Sequence, residues 1–167
     1  MRQLAFAILC LTGSLAVPAC AQKTHPRKTT AQTAADRKEF GPVLTFQRTP
    51  CFGTCPGYLM KVYADGRVEY EGTRAVPMMG QRELQLPPAA LANMLHQAQE
   101  SHFEQFKDSY LSGATDLPST IIAIRQPNGE LKKVVIEGNA PDDVRQLATA
   151  LGSQFDALAK LTATSDR

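Results

Sequence analysis

The sequence predicts an α+β domain: an antiparallel sheet of about five strands with two amphipathic helices on one face. Two observations carry that prediction. Asp65-Gly66 and Asn128-Gly129 each separate a pair of runs with strand alternation, the signature of a β-hairpin. Each hairpin is then followed by a segment whose apolar residues recur at helical spacing. Two helices with one apolar stripe each are most economically buried together against one face of a sheet. The chain has 167 residues, the length of one domain. Its net charge is +2, and basic residues do not cluster within the folded part, so nucleic acid is not an expected partner.

Taken in order, Met1-Arg2-Gln3 and the apolar run from Leu4 to Val17 read as a secretory signal peptide over residues 1–21, the run being too short to span a bilayer comfortably. Two exits are open. Ala19-Cys20-Ala21 suits cleavage before Gln22, whereas Val17-Pro18-Ala19-Cys20 is lipobox-like and would make Cys20 a lipidated N-terminus. Residues 22–39 hold Lys23, Arg27, Lys28, Arg37 and Lys38 but no large apolar side chain, and they read as a solvated tether. Its basic residues would meet anionic head groups if Cys20 carries lipid.

The folded domain is expected over residues 40–162, with a disordered tail at 163–167. Val43 to Arg48 alternates, Leu44 and Phe46 on one face and Thr45 and Gln47 on the other. Tyr58 to Ala64 and Arg67 to Gly72 form the arms of the first hairpin, around a type I′ turn at Asp65-Gly66, with Arg67, Glu69 and Glu71 on its wet side. Val76 to Gln85 reads as a connection. Pro87-Pro88 opens a helix with Leu91, Met94, Leu95 and Ala98 as its buried stripe. Phe103, Phe106 and Tyr110 follow irregularly and cap the core. A second cycle repeats the first: Thr120 to Arg125 and Leu131 to Glu137 flank Asn128-Gly129. Pro141, Asp142 and Asp143 then open a helix with Val144, Leu147, Leu151, Phe155 and Leu158 on its apolar side.

The most particular stretch runs from Thr49 to Tyr58, with two cysteines, two prolines, two glycines and two aromatics. Once the signal segment is removed, Cys51 and Cys55 are the cysteines of the folded part. Gly53 and Pro56 let the chain turn back sharply enough for a local disulfide, the default in an oxidising compartment. Two other readings stand beside it. Cys-x-x-x-Cys-Pro resembles the motif of the Sco-type copper chaperones, which would make the pair a redox-active or copper-binding dithiol. That family places a helix after its cysteines and a distant His beyond, whereas here a strand pattern follows and no His occurs after His102. Half of a zinc site is the third reading, but it needs four ligands and only His25, His96 and His102 could complete it.

Phe46-x-Arg48-x-Pro50-Cys51-Phe52-Gly53-Thr54-Cys55-Pro56-x-Tyr58, followed by Asp65-Gly66-x-Val68-x-Tyr70-x-Gly72 and later by Tyr110 with Asp116-Leu117-Pro118, resembles the bacterial family known as domain of unknown function 6438. The resemblance spans most of Leu44 to Leu158. It implies an exported or lipoprotein-borne protein and no assigned reaction. Gly57 stands where that pattern leads one to expect a larger residue, which would loosen the exit of the loop.

No residue has a catalytic setting. His96 sits at the edge of a helical stripe, His102 near a helix end, and Asp116 reads as a turn residue bonding backbone amides. There is no nucleophile elbow, zinc-protease motif, phosphate loop or dinucleotide fingerprint. The expectation is a non-catalytic domain of the bacterial envelope (periplasmic, or anchored to the outer membrane through lipid) with no cofactor and no metal. It would bind an unidentified envelope protein or small ligand through Phe52, Tyr58, Arg48 and Asp116 and the polar hairpin face, or serve as a purely structural envelope lipoprotein. The alternative is a thiol-redox or copper protein using Cys51 and Cys55.

Overall fold

The computed structural model describes residues 41–161. The signal segment, Cys20, the tether and the tail lie outside the described residues. Ten elements follow in order: β1 (Leu44–Arg48), β2 (Gly57–Val62), β3 (Arg67–Arg74), β4 (Gly80–Gln85), helix α1 (Pro88–Glu100), a 3₁₀ turn (Phe103–Gln105), β5 (Ser109–Tyr110), β6 (Thr120–Arg125), β7 (Leu131–Ile136) and helix α2 (Asp142–Leu158). The strands form one sheet in the order β4-β3-β2-β1-β6-β7-β5, antiparallel except for β5 beside β7.

The class is as the sequence predicts, but the sheet has seven strands rather than about five. The two extra ones lack the signal that marks strands. β4 is an edge strand of Gly, Gln, Arg, Glu, Leu and Gln in which only Leu84 is even half-buried, so it shows no apolar alternation. Charged side chains there suit an edge that must not recruit another strand. β5 is two residues long and owes its place to two backbone bonds, Val135 N to Asp108 O and Glu137 N to Tyr110 O.

β1 lies at the centre, and its alternation fixes the core. Leu44 and Phe46 face the helices with Met60 and Val62 of β2, Val68 and Tyr70 of β3, Ile122 and Ile124 of β6, and Val134 and Ile136 of β7. Leu91, Met94 and Ala98 of α1 and Val144, Leu147, Leu151 and Phe155 of α2 close over them. The Phe155 ring stacks on Phe46 at 4.7 Å. Phe103 and Phe106 cap one end edge to face, as their position after α1 suggests.

Both hairpin turns depart from the two-residue type I′ form. In the first, Gly66 N donates to Tyr63 O and Tyr63 N to Arg67 O; in the second, Gly129 N donates to Gln126 O and Gln126 N to Glu130 O. Each is a three-residue loop, a type I turn closed by a left-handed glycine, with φ of +82° at Gly66 and +88° at Gly129. Asp65 and Asn128 act alike: each side chain accepts the backbone N–H two residues on. A dipeptide pattern cannot distinguish the two turn forms, because both end in Asx-Gly.

The two glycines differ in surroundings. A Cβ on Gly66 would lie 2.4 Å from Leu86 O, while one on Gly129 would meet nothing within 4 Å. Gly129→Val should therefore cost about 1–2 kcal/mol from backbone strain alone. Gly66→Val should cost about 3 kcal/mol or more, since the chain entering α1 must also move. Denaturant unfolding of the two variants measures this, and equal losses would contradict it.

Candidate functional site

The last residue of β1 on the helix-facing side is charged. Arg48 continues the Leu44–Phe46 face, so its side chain runs under α2, where it meets Asp156. Nε donates to Oδ1 at 2.9 Å and Nη2 to Oδ2 at 2.6 Å, a two-pronged pair. Tyr58, opposite Arg48 in the β1–β2 register, donates its hydroxyl to the same Oδ1 at 2.5 Å. The guanidinium lies 5.6 Å from the Phe46 ring centroid.

Gly152, one helical turn before Asp156, makes room: a Cβ there would come within 2.8 Å of Arg48 Nη2. Glycine inside a helix costs roughly 1 kcal/mol relative to alanine, and here the close passage of the guanidinium supplies the reason. Burial works against the Arg48 charge, but Asp156 outweighs it and holds the group above its ordinary value. Burial, then the bond to Asp156, pushes the Tyr58 hydroxyl far above the usual phenol range, so it remains a proton donor.

The cysteine loop leaves the sheet immediately after Arg48. Cys51 and Cys55 are joined, with Cα atoms 5.4 Å apart, as their spacing and the turn residues Gly53 and Pro56 suggest. At the tip Phe52 is 89% exposed. Gly53 N donates to Cys51 Sγ at 3.3 Å inside the loop. At its base Thr49 N donates to Ser119 O at 2.9 Å, and Ser119 N returns a bond to Thr49 Oγ1 at 2.7 Å. Gly57, where the loop rejoins the sheet, is buried rather than loose. A Cβ there would lie 2.8 Å from Thr73 Oγ1 and 3.2 Å from Pro50 Cδ, so the small residue closes the exit tightly.

Ser119 belongs to the loop from Leu111 to Ser119, which Glu137 holds down. Its carboxylate accepts from Ser112 N at 2.9 Å and from the Ser112 and Ser119 hydroxyls at 3.1 Å each. The Ser112 amide bond leads the causes that lower the carboxyl below its ordinary value. A carboxyl depressed by folding stabilises at pH above its unfolded value, and that contribution is lost as pH falls through the folded one. Acidification should therefore loosen this loop first, seen as lower amide protection factors (exchange relative to the intrinsic rate at each pH) at Ser112 and Ser119 while β1 remains protected. An unchanged protection factor at Ser112 below the carboxylate range would refute the anchoring role.

Between the two loops and α2 lies a cleft of about 490 Å³, lined among others by Arg48, Cys55, Leu117, Glu137, Arg145 and Thr149. Arg48 shows its remaining edge there, its Nη1 reaching Thr120 Oγ1 at a long 3.5 Å.

The four residues expected to make contacts therefore separate. Phe52 is fully presented and Arg48 partly so. Asp116 is exposed in the 111–119 loop, its carboxylate accepting from Thr115 Oγ1 at 3.5 Å. Tyr58, expected at the surface, is only 1% exposed and serves as an internal support for Asp156. β-Alternation explains this: Tyr58 shares its face with Met60 and Val62. Asp156 was not among the candidates, and Gly152 is the sequence signal that could have found it. His96 and His102 are exposed, near Glu100 and Glu104 respectively. Among the described residues, no group of three or more His, Cys, Asp or Glu could hold a metal ion, and no helix is long and apolar enough to cross a membrane.

Compared with known proteins, the chain matches no curated protein and no solved structure. One family match covers β1, the cysteine loop, both hairpins and most of α2. Matched over residues 42–154, the chain belongs to the family described as a domain of unknown function, number 6438.

Proposed function

We propose that this domain is a non-catalytic binding module of the cell envelope, and that it grips its partner with the disulfide-closed loop and the adjoining cleft. One observation carries the reading: a large aromatic side chain, Phe52, stands 89% exposed at the tip of a loop that is covalently closed and bonded at its base to its neighbour. Exposing a phenyl ring on a mobile loop has no stabilising purpose, whereas fixing it in place lowers the entropy lost on binding. Leu117, 45% exposed in the neighbouring loop, offers a second apolar contact across the cleft. Arg48, braced by Asp156 and Tyr58, offers a preset donor edge between them. The envelope location rests on the apolar leader and on a disulfide suited to an oxidising compartment.

Affinity capture from the envelope, with the intact protein as bait, tests the reading. A partner retained by the native protein should be lost from Phe52→Ala, whose surface position leaves stability nearly unchanged. The Cys51→Ser/Cys55→Ser variant should fold with a loss of about 2 kcal/mol, the closure entropy of so short a ring, and should bind more weakly through a less ordered loop. Equal capture by the native protein and Phe52→Ala would remove the loop from the contact. Tight Cu(I) binding by the reduced protein, or a dithiol potential in the range of disulfide oxidoreductases, would replace this reading by the redox one.

A further inference from the structure

The hydrophobic core uses one face of the sheet only. The residues that alternate with it point the other way, and both helices pack on the core side. Following the register, one row across this second face reads Glu71, Leu59, Gln47, Ile121, Val135; the next reads Glu69, Lys61, Thr45, Ala123, Lys133. Leu59, Ile121 and Val135 are half-buried and belong to no part of the core cluster. Around Gln47 they form an apolar patch on a sheet face that no helix among the described residues covers.

The charges around that patch are sorted by side. Glu69, Glu71 and Glu83 lie on β3 and β4; Arg67 is paired to Glu69 at 2.7 Å and reaches Glu83 at 3.9 Å, and Arg82 stands beside them. Arg125 and Lys133 lie on β6 and β7. A depression of about 410 Å³ on the β3–β4 side is bordered by three glutamates, Glu69, Glu71 and Glu83, with Lys61 and Arg82 between them and Leu59 at its inner edge. β1 is the middle strand of seven, so the acidic and basic halves sit at equal distances from it.

We propose that this face is the contact between two copies of the chain, packed sheet on sheet about a two-fold axis parallel to β1. That axis lays β3 of one copy over β7 of the other and β2 over β6. Within the twist of two aligned sheets it brings Leu59 towards Ile121 of the second copy and Glu69 towards Lys133. A two-fold axis perpendicular to the strands would stack acidic on acidic and basic on basic, so the charge sorting selects the first arrangement. The face is large enough: six strands about 4.8 Å apart and about six residues long give on the order of 600 Å² of sheet plane per copy, and the side-chain relief adds to it. Residues 22–39 offer no large apolar side chain to cover the face instead.

Sedimentation of the purified full chain, from about 1 to 100 μM, tests the proposal. The native protein should reach twice the monomer mass, with an affinity that falls as salt rises. Ile121→Lys should be monomeric throughout. Glu69→Lys and Lys133→Glu, both surface changes, should each weaken association about tenfold or more, because every substitution occurs twice in the interface. Their combination should recover affinity to within about threefold of the native value. A native monomer at 100 μM, a dimer indifferent to these changes, or a double variant weaker than either single one would overturn the proposal.

Discussion

Replacing Asp156 by alanine is expected to cost about 3 kcal/mol and to collapse the floor of the cleft. The carboxylate is the common acceptor for two donors from neighbouring strands, Arg48 at 2.9 and 2.6 Å and Tyr58 at 2.5 Å. Without it, a guanidinium under a helix and a buried hydroxyl are both left unpaired. Breaking a buried ion pair costs about 3–5 kcal/mol, and the lower end applies because the Arg48 and Asp156 side chains keep 29% and 22% of their exposure. Tyr58→Phe removes one bond and leaves the ion pair, so about 1 kcal/mol is expected. The order Asp156→Ala above Tyr58→Phe, read by denaturant unfolding, checks the arrangement. A loss under about 1 kcal/mol for Asp156→Ala would mean that the pair adds little beyond surface electrostatics.

Gly72→Val is expected to have the largest effect on folding, about 4 kcal/mol or more, enough to leave a domain of this size largely unfolded. Gly72 sits near the end of β3 on the core side, where the chain folds back over it before β4. A Cβ there would lie 2.0 Å from Met78 O, 2.5 Å from Tyr70 Oη and 2.8 Å from a Val76 methyl. The Tyr70 hydroxyl donates to Met78 O at 2.7 Å, so the same carbonyl would be driven off its donor. Thermal unfolding with circular dichroism suffices to read it. A native-like transition for Gly72→Val would show that the 75–79 segment does not close on the strand as described.

These positions also mark where the sequence was informative. Leu44, Phe46 and Arg48 share a face because strand side chains alternate, so the rule that pairs Leu44 with Phe46 also puts Arg48 on the helix side. The same rule, applied to Tyr58 with Met60 and Val62, would have buried the tyrosine. Its place beside the proline- and glycine-rich loop is a local signal for exposure, and the strand alternation overrides it. Asp156 was illegible for a different reason. It follows Phe155 on α2 and lies 108 residues from Arg48, and helical periodicity identifies a stripe without saying which strand end the stripe's border meets. Gly152 was the one local sign of a close approach.

The missing strands have a similar explanation. β4 is exposed on both sides except at Leu84, so it carries no alternation, and β5 is too short to have any. Asp65-Gly66 and Asn128-Gly129 mark turns, but the three-residue form depends on backbone bonds from Tyr63 and Gln126 that no dipeptide encodes.

Phe52 is the proposed contact residue, and site-specific photo-crosslinking in the living cell tests that most directly. A photoreactive phenylalanine analogue at position 52 keeps the ring and its exposure; the same analogue at Met79, also an exposed apolar position, is the control. A discrete adduct is expected from position 52 that is absent from position 79 and is weakened when Cys51 and Cys55 are replaced by serine. No adduct at 52, or the same adduct from both positions, would contradict it.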